Sequence, residues 1–321
     1  MMNYQDRHRL AKLDPYHSVI RVFDCEEGKI TVGIKNISSI PNTLMHKLEQ
    51  TGFALHTIDK KSQLAGRAVD TQLINPISGR YMSGSSSGTA INVFAGINEL
   101  GIGNDGGGSV LAPAMCVNIY GFISRLIEED RAQAQKKNTD GMIAGNSLGF
   151  MARDRKILFK AIRDSIGIAP AETYGTVYAD GYYAGIDHKV IDLMDAFAPR
   201  PELTAYLEGI LKDCDVLILK EGPVDLYGFG DSLFGHFDER TKRIQRESGK
   251  GYLRVCNTAN ATALCIPGTE LGCATLLICE SRRDKVTRLL KAAEFIPDVK
   301  DELIERYFLD IDSYFNDGYQ I

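Results

Sequence analysis

The chain is short of the features that would assign it to several large functional classes. Its 37 basic residues are outnumbered by 42 acidic ones. The lysines and arginines are scattered, so there is no basic face of the kind nucleic-acid binding requires. No apolar run is long enough to span a membrane. The opening MMNYQDRHRLAKLDPYH lacks the apolar core of a signal peptide. No CxxC pair or Cys/His spacing suggests zinc. The seven cysteines are an odd number. Cys116, Cys265, Cys273 and Cys279 sit in apolar runs, where free thiols act as small core hydrophobes, and a reducing, cytoplasmic setting is expected. There is no GxxxxGK[ST] loop and no GxSxG elbow. None of the six histidines (His8, His17, His46, His56, His188, His236) falls in a recognisable motif.

What is present is an ordinary globular composition, 44% hydrophobic and 25% charged, enough for a sizeable core. No internal repeat or linker divides the chain. A single domain over 1–321 is expected, with residues 1–28 as a polar extension or docking helix. KITVGIK, ending at Lys35, reads as a strand; Asn42 opens a helix that Gly52 closes, and FALHTI from Phe53 reads as a second strand. This order predicts an α/β fold. Residues 62–82 read as an irregular connection. MCVNIYGF (Met115 to Phe122) reads as a buried strand, Arg153 to Ile166 as a helix ended by Gly167, and 170–200 as mostly loop. Pro201 opens a further helix. CDVLILK (Cys214 to Lys220) and CATLLICES (Cys273 to Ser281) read as strands buried on both faces, and two amphipathic helices follow.

The most informative stretch runs from Arg80 to Ala114. Two clusters of small residues, Ser83 to Gly88 and Gly106 to Ser109, flank a segment in which Ala90, Ile91, Val93, Phe94 and Ile97 form one apolar helical face. A flexible connector would not lead at once into a core-type helix. Gly101, Gly103 and Gly106 satisfy GxGxxG, but a dinucleotide fingerprint needs a strand before it and a helix opening within it. Here a helical pattern precedes it. The third reading is a serine nucleophile beside glycine amides. Acyl transfer needs an activated hydroxyl and donors aimed at an oxyanion, and glycines turn successive N–H groups inward at little steric cost. With no histidine at hand, a buried lysine held neutral is the available base.

These residues resemble the amidase signature family, the Ser–cis-Ser–Lys amidohydrolases. The family pattern GGSSGGSA, an apolar helix and GTDxGGSIRxPA stands here as SGSSSGTA (Ser83 to Ala90) and GNDGGGSVLAPA (Gly103 to Ala114). GIKN (Gly33 to Asn36) matches the family's VKD strand end, NPISGR (Asn75 to Arg80) its Asn-Pro approach, and SLGFMAR (Ser147 to Arg153) its turn-to-helix element. CDVLILKEGP and the stretch from Asn257 to Leu277 resemble its C-terminal closure. The resemblance implies a central mixed β-sheet covered by helices on both faces. It also implies an amidohydrolase in which Ser109 is the nucleophile, Ser85 the bridging serine after a cis peptide, and Lys35 the base. Gly106, Gly107 and Gly108, with the Ser109 N–H, would form the oxyanion hole, and Asp105 would brace the turn. No cofactor or metal is expected. The expected partners are a small-molecule amide and a second copy of the chain as a homodimer, with no nucleic acid and no membrane.

The chain departs from the pattern in being short, mainly between Lys35 and Asn42 and between Ile166 and Cys214. Leu111 replaces an arginine after the nucleophile, and Ser83 and Ser87 replace glycines. Substrate class therefore stays open, as does a pocket completed by a partner. Tyr227, Phe229, Asp231 and Phe234, in a Gly- and aromatic-rich loop, are candidate substrate contacts. The alternatives are acyl transfer to an amine, ammonia release in a glutaminase-like reaction, or a non-catalytic binding protein on the same scaffold.

Overall fold

The computed structural model describes residues 2–62, 68–130, 136–137, 142–226 and 238–309. Helix α1 (Tyr4–Leu13) and strand β1 (Val19–Val22) precede β2 (Ile30–Lys35), α2 (Asn42–Glu49) and β3 (Phe53–Asp59). Next come β4 (Val69–Ile74), β5 (Tyr81–Ser83), α3 (Ser87–Phe94), β6 (Leu100–Asp105), α4 (Leu111–Cys116) and β7 (Tyr120–Ser124). The two-residue strands β8 (Lys136–Lys137) and β9 (Ile143–Ala144) lead to β10 (Ser147–Ala152), α5 (Arg155–Ile166), β11 (Val177–Ala179) and β12 (Lys189–Val190). The chain continues through α6 (Arg200–Asp213), β13 (Val216–Glu221), α7 (Glu239–Glu247), a 3-10 turn (Tyr252–Arg254), β14 (Ala261–Pro267), β15 (Ala274–Glu280), α8 (Arg283–Ala293) and α9 (Glu302–Phe308).

Eleven strands form one sheet in the order β1-β3-β2-β6-β10-β7-β14-β15-β13-β11-β12. It is mixed. β2 runs parallel to β3 and β6, and β11 runs parallel to β12 and β13, while the other neighbours are antiparallel. Helices cover both faces. Residues of α3, α4 and α6 build one apolar core, and residues of α2, α5 and α8 build the other. β13 explains why its sequence is continuously apolar: Leu217 and Leu219 enter the first core, Val216 and Ile218 the second. The α/β class and the covered mixed sheet agree with expectation.

Local chemistry sets the helix ends. Asp154 accepts the Lys156 N–H at 2.6 Å and caps α5, which Gly167 ends in the left-handed region at φ 71°. The stretch expected as an N-terminal extension, 1–28, holds a docked helix and also β1, the edge strand of the sheet, antiparallel to β3. Arg7 of α1 is buried, with its guanidinium on the Gly96 carbonyl and near Glu99.

Four expectations need correction. The 62–82 connection contains the antiparallel pair β4/β5, hidden in sequence by its Gly, Asn, Pro and Ser content. The Met115 to Phe122 stretch is not one strand: α4 extends to Cys116 and β7 starts at Tyr120. Pro113 does not prevent α4, because it sits in the first turn, where an N–H has no intrahelical partner to lose. SLGFMAR is itself strand β10, and the 170–200 loop carries two short strands, β11 and β12.

Candidate active site

Side-chain alternation along β2 puts Thr31, Gly33 and Lys35 on the face that carries α3. Gly33 has no room for a Cβ, because the Asn98 and Asp59 side chains fill that space. Lys35, at the strand end, is 2% exposed. Its Nζ lies 2.7 Å from Ser85 Oγ and 2.8 Å from Asn104 Oδ1. Burial lowers the Lys35 ammonium from 10.5 to about 7, with Asp105 opposing the change and Lys61 adding to it. An amine in that range spends much of its time neutral at physiological pH. Asn104 Oδ1 can only accept, so it takes one Nζ–H, while Nζ also stands within hydrogen-bond distance of the Ser85 hydroxyl, which can donate or accept.

The first cluster opens α3. Ser87 Oγ donates to Asp70 Oδ2 at 2.6 Å, and Asp70 Oδ1 takes the N–H groups of Gln72 and Leu73, so β4 pins the helix start. Gly88 must lack a Cβ, since one would stand 2.5 Å from the Lys60 carbonyl oxygen. Gly101 and Gly103 lie within β6, where a Cβ would press into Thr89 and Val93 or into Ser86 and Val110. Their spacing therefore lets α3 and the Gly106–Ser109 loop pack on the strand, and it is not the strand-turn-helix geometry of a dinucleotide fingerprint.

The two clusters meet through a missing donor. In α4 the residue whose N–H would reach the Ser109 carbonyl is Pro113, which has none. That carbonyl instead accepts the Ser86 N–H at 3.2 Å. Gly84, at φ 65°, packs on the same proline: a Cβ there would stand 2.6 Å from Pro113 Cδ and 3.6 Å from Ser109 Cα. The peptide bond before Ser85 is trans, which corrects the cis expectation; among the described residues the cis bond is Gly222–Pro223. The chain turns here through the left-handed φ of Gly84, which glycine adopts freely.

Asp105 ends β6 fully buried. Its carboxylate accepts the N–H groups of Gly108 (2.7 Å), Val110 (2.6 Å) and Leu111 (3.3 Å), and the Asn257 side-chain amide at 2.6 Å. This corrects part of the oxyanion-hole expectation. The Gly108 N–H is already given to Asp105, so Gly108 shapes the loop at φ 104° and does not offer its amide to a ligand. The N–H groups of Gly106, Gly107 and Ser109 have no acceptor among the described residues. Gly106 is exposed, and Gly107 and Ser109 are half-buried. Lys35, Ser85, Asp105 and Ser109 thus come together, while Tyr227, Phe229, Asp231 and Phe234 lie outside the described residues. Asn104 and Asn257 join the site without having been expected there. The signal for Asn104 is an amide beside Asp105 at the end of the apolar and glycine run LGIG.

The mixed sheet with helices on both faces thus frames a buried lysine on a serine and a glycine turn beside a second serine. A family model described as Amidase matches residues 67–219. Solved structures share the fold. One is described as an amidase (TM-score 0.63, 12% identity, covering 91% of this chain and 94% of that one). Another is a glutamyl-tRNA(Gln) amidotransferase polypeptide from Thermotoga maritima (0.56, 14%, 94% and 96%). A third is a 6-aminohexanoate cyclic dimer hydrolase (0.57, 12%, 90% and 88%). No curated protein matches the sequence. Over residues 67–219 the chain matches the amidase family, and over most of its length it shares the fold of these structures. That family places it among enzymes that hydrolyse carbon–nitrogen bonds of amides.

Proposed function

We propose that the protein hydrolyses a carboxamide through an acyl-Ser109 intermediate, with Ser85 and Lys35 as the proton relay. The observation that carries this reading is the buried Lys35 Nζ at 2.7 Å from Ser85 Oγ and 2.8 Å from Asn104. A structural lysine would be solvated or paired with a carboxylate; this one touches a hydroxyl and an amide.

In the proposed sequence Ser109 Oγ attacks the carbonyl carbon as its proton passes to Ser85 and the Ser85 proton passes to neutral Lys35. The tetrahedral oxyanion is held by the N–H groups of Gly106, Gly107 and Ser109, an arrangement fixed before reaction and so free of reorganisation cost. The ammonium then returns a proton through Ser85 to the leaving nitrogen as the C–N bond breaks. Water, deprotonated by the same route, attacks the ester carbonyl; the C–O bond to Ser109 breaks as the Lys35 ammonium returns the proton through Ser85 to Ser109 Oγ, and the acid departs. Asp105 takes no proton; it holds the loop by accepting three backbone N–H groups.

A fluorophosphonate is the direct test, because it needs only an activated serine. Labelling of the wild type that is lost in Ser109→Ala supports the proposal. Equal labelling of both proteins sinks it, and absence of labelling of the wild type at every pH from 6 to 10 would favour the non-catalytic binding alternative.

A further inference from the structure

The Gly106–Ser109 loop is backed by a second turn, residues 251–257. Leu253 lies against Gly108, where a Cβ would not fit. The Arg254 carbonyl oxygen is 3.7 Å from the place a Gly107 Cβ would take. Asn257 donates to Asp105. This turn therefore sets both the shape of the glycine loop and the orientation of the carboxylate that braces it.

The turn is held in its own right by Glu221, the last residue of β13. This carboxylate is 5% exposed and accepts the N–H groups of Gly251, of Tyr252 at 3.0 Å and of Leu253 at 3.5 Å. Gly251 is where it must be: a Cβ there would stand 2.7 Å from Ala196 Cβ and 3.1 Å from Glu221 Oε1. On its far side the turn is tied to the 194–198 segment. Tyr252 OH donates to the Met194 carbonyl, and the buried Arg254 guanidinium donates to the carbonyls of Ala196 and Ala198.

We infer that the Glu221 carboxylate is a positioning residue for the acyl-transfer centre: by gathering the N–H groups of Gly251, Tyr252 and Leu253, it fixes the turn on which the Gly106–Ser109 loop is shaped. The inference rests on the acyl-serine reading. Three N–H donors require an acceptor, and a protonated carboxyl would turn a donor toward them. Burial pushes Glu221 up to about 7, against the pull of those N–H groups and of the Arg254 guanidinium. The other titratable groups that sense it are the Tyr252 phenol and the Cys256 and Cys265 thiols, all raised by burial and so neutral near pH 7. Glu221 and Lys35 then both have to lose a proton before the centre is competent, and both do so near neutrality.

The test is the second-order rate of Ser109 labelling by a fluorophosphonate between pH 5 and 9. Two required deprotonations give a log–log slope approaching 2 on the acid side in the wild type, and Glu221→Gln, which cannot titrate, gives a slope of 1. On the alkaline plateau Glu221→Gln labels on the order of tenfold to a hundredfold more slowly, as expected for a loop displaced by a fraction of an ångström. A plateau rate in Glu221→Gln equal to that of the wild type overturns the inference, and so does a slope of 2 that persists in Glu221→Gln. No labelling of wild-type protein at any pH overturns the acyl-serine reading itself, which is a different result from a changed slope.

Discussion

The proposed base can be tested without a substrate, through folding stability. Lys35 titrates at about 7 in the folded protein against 10.5 when unfolded. Between those values the unfolded chain binds a proton that the native one does not, so stability rises with pH across that window and is flat below it. Each pH unit is worth ~1.4 kcal/mol, and from pH 7 to 10 the wild type should therefore gain about 4 kcal/mol from this residue alone. Lys35→Met has a similar length and no titrating group. It forfeits the bonds to Ser85 and Asn104, but that loss does not vary with pH. Titrations that do not sense Lys35 are common to the two proteins and cancel in the difference, which leaves Lys35 and its coupled neighbour Asp105. Urea unfolding of both at pH 6, 7, 8.5 and 10 gives ΔG(wild type) minus ΔG(variant). The expected trace is level from 6 to 7 and climbs by about 4 kcal/mol by pH 10. A trace level over the whole range would mean that Lys35 is an ammonium in the native protein, and the relay would have no base.

Further outcomes follow from single contacts. Asn104→Asp places a carboxylate beside Nζ at the position of a 2.8 Å bond; it should move the acid limb of labelling up by ~1–3 pH units, with the rate recovering near pH 10. Gly108→Ala combines a φ of 104° with the Leu253 contact and should cost about 3 kcal/mol in urea unfolding; unchanged stability would show that Leu253 moves aside without cost. Pro113→Ala supplies an N–H that competes with Ser86 for the Ser109 carbonyl, so labelling should slow while the melting temperature changes little. Ser87→Ala removes the 2.6 Å bond to Asp70, a charged acceptor, and should cost roughly 2 kcal/mol in the same unfolding assay.

The parts of the site that sequence reveals are those whose chemistry requires rare local composition. Two small-residue clusters around an apolar helix, with a lysine ending an earlier strand, bring Lys35, Ser85, Asp105 and Ser109 into view from composition and spacing together with the family resemblance. The contacts that depend on distant segments stay hidden. Asn257 reaches Asp105 from the far end of the chain, and nothing near either residue announces the partner. Glu221 reads as the polar end of a buried strand because its three donors come from a turn thirty residues later. The trans bond at Ser85 is not legible in SGSSSG, since a left-handed Gly84 and a cis peptide both redirect a chain of small residues. In the fold, β11 and β12 span three and two residues, too few for alternation to register. Apolar runs such as Met115 to Phe122 fit a buried helix and a strand equally until length and capping decide.

Lys35 and the Gly106–Ser109 loop leave the sheet on adjacent parallel strands, β2 and β6, with Ile34 beside Ile102. The points where the two segments leave the sheet are therefore set by the backbone spacing of a β-ladder, about 4.8 Å, while the 251–257 turn shapes the loop beyond β6. Deleting peripheral segments changes what can reach Ser109 but leaves that spacing alone. A chain trimmed on both sides of the ladder can keep its reaction while losing, or exchanging, its choice of substrate, which makes this short member a natural minimal scaffold on which new pocket walls could be built.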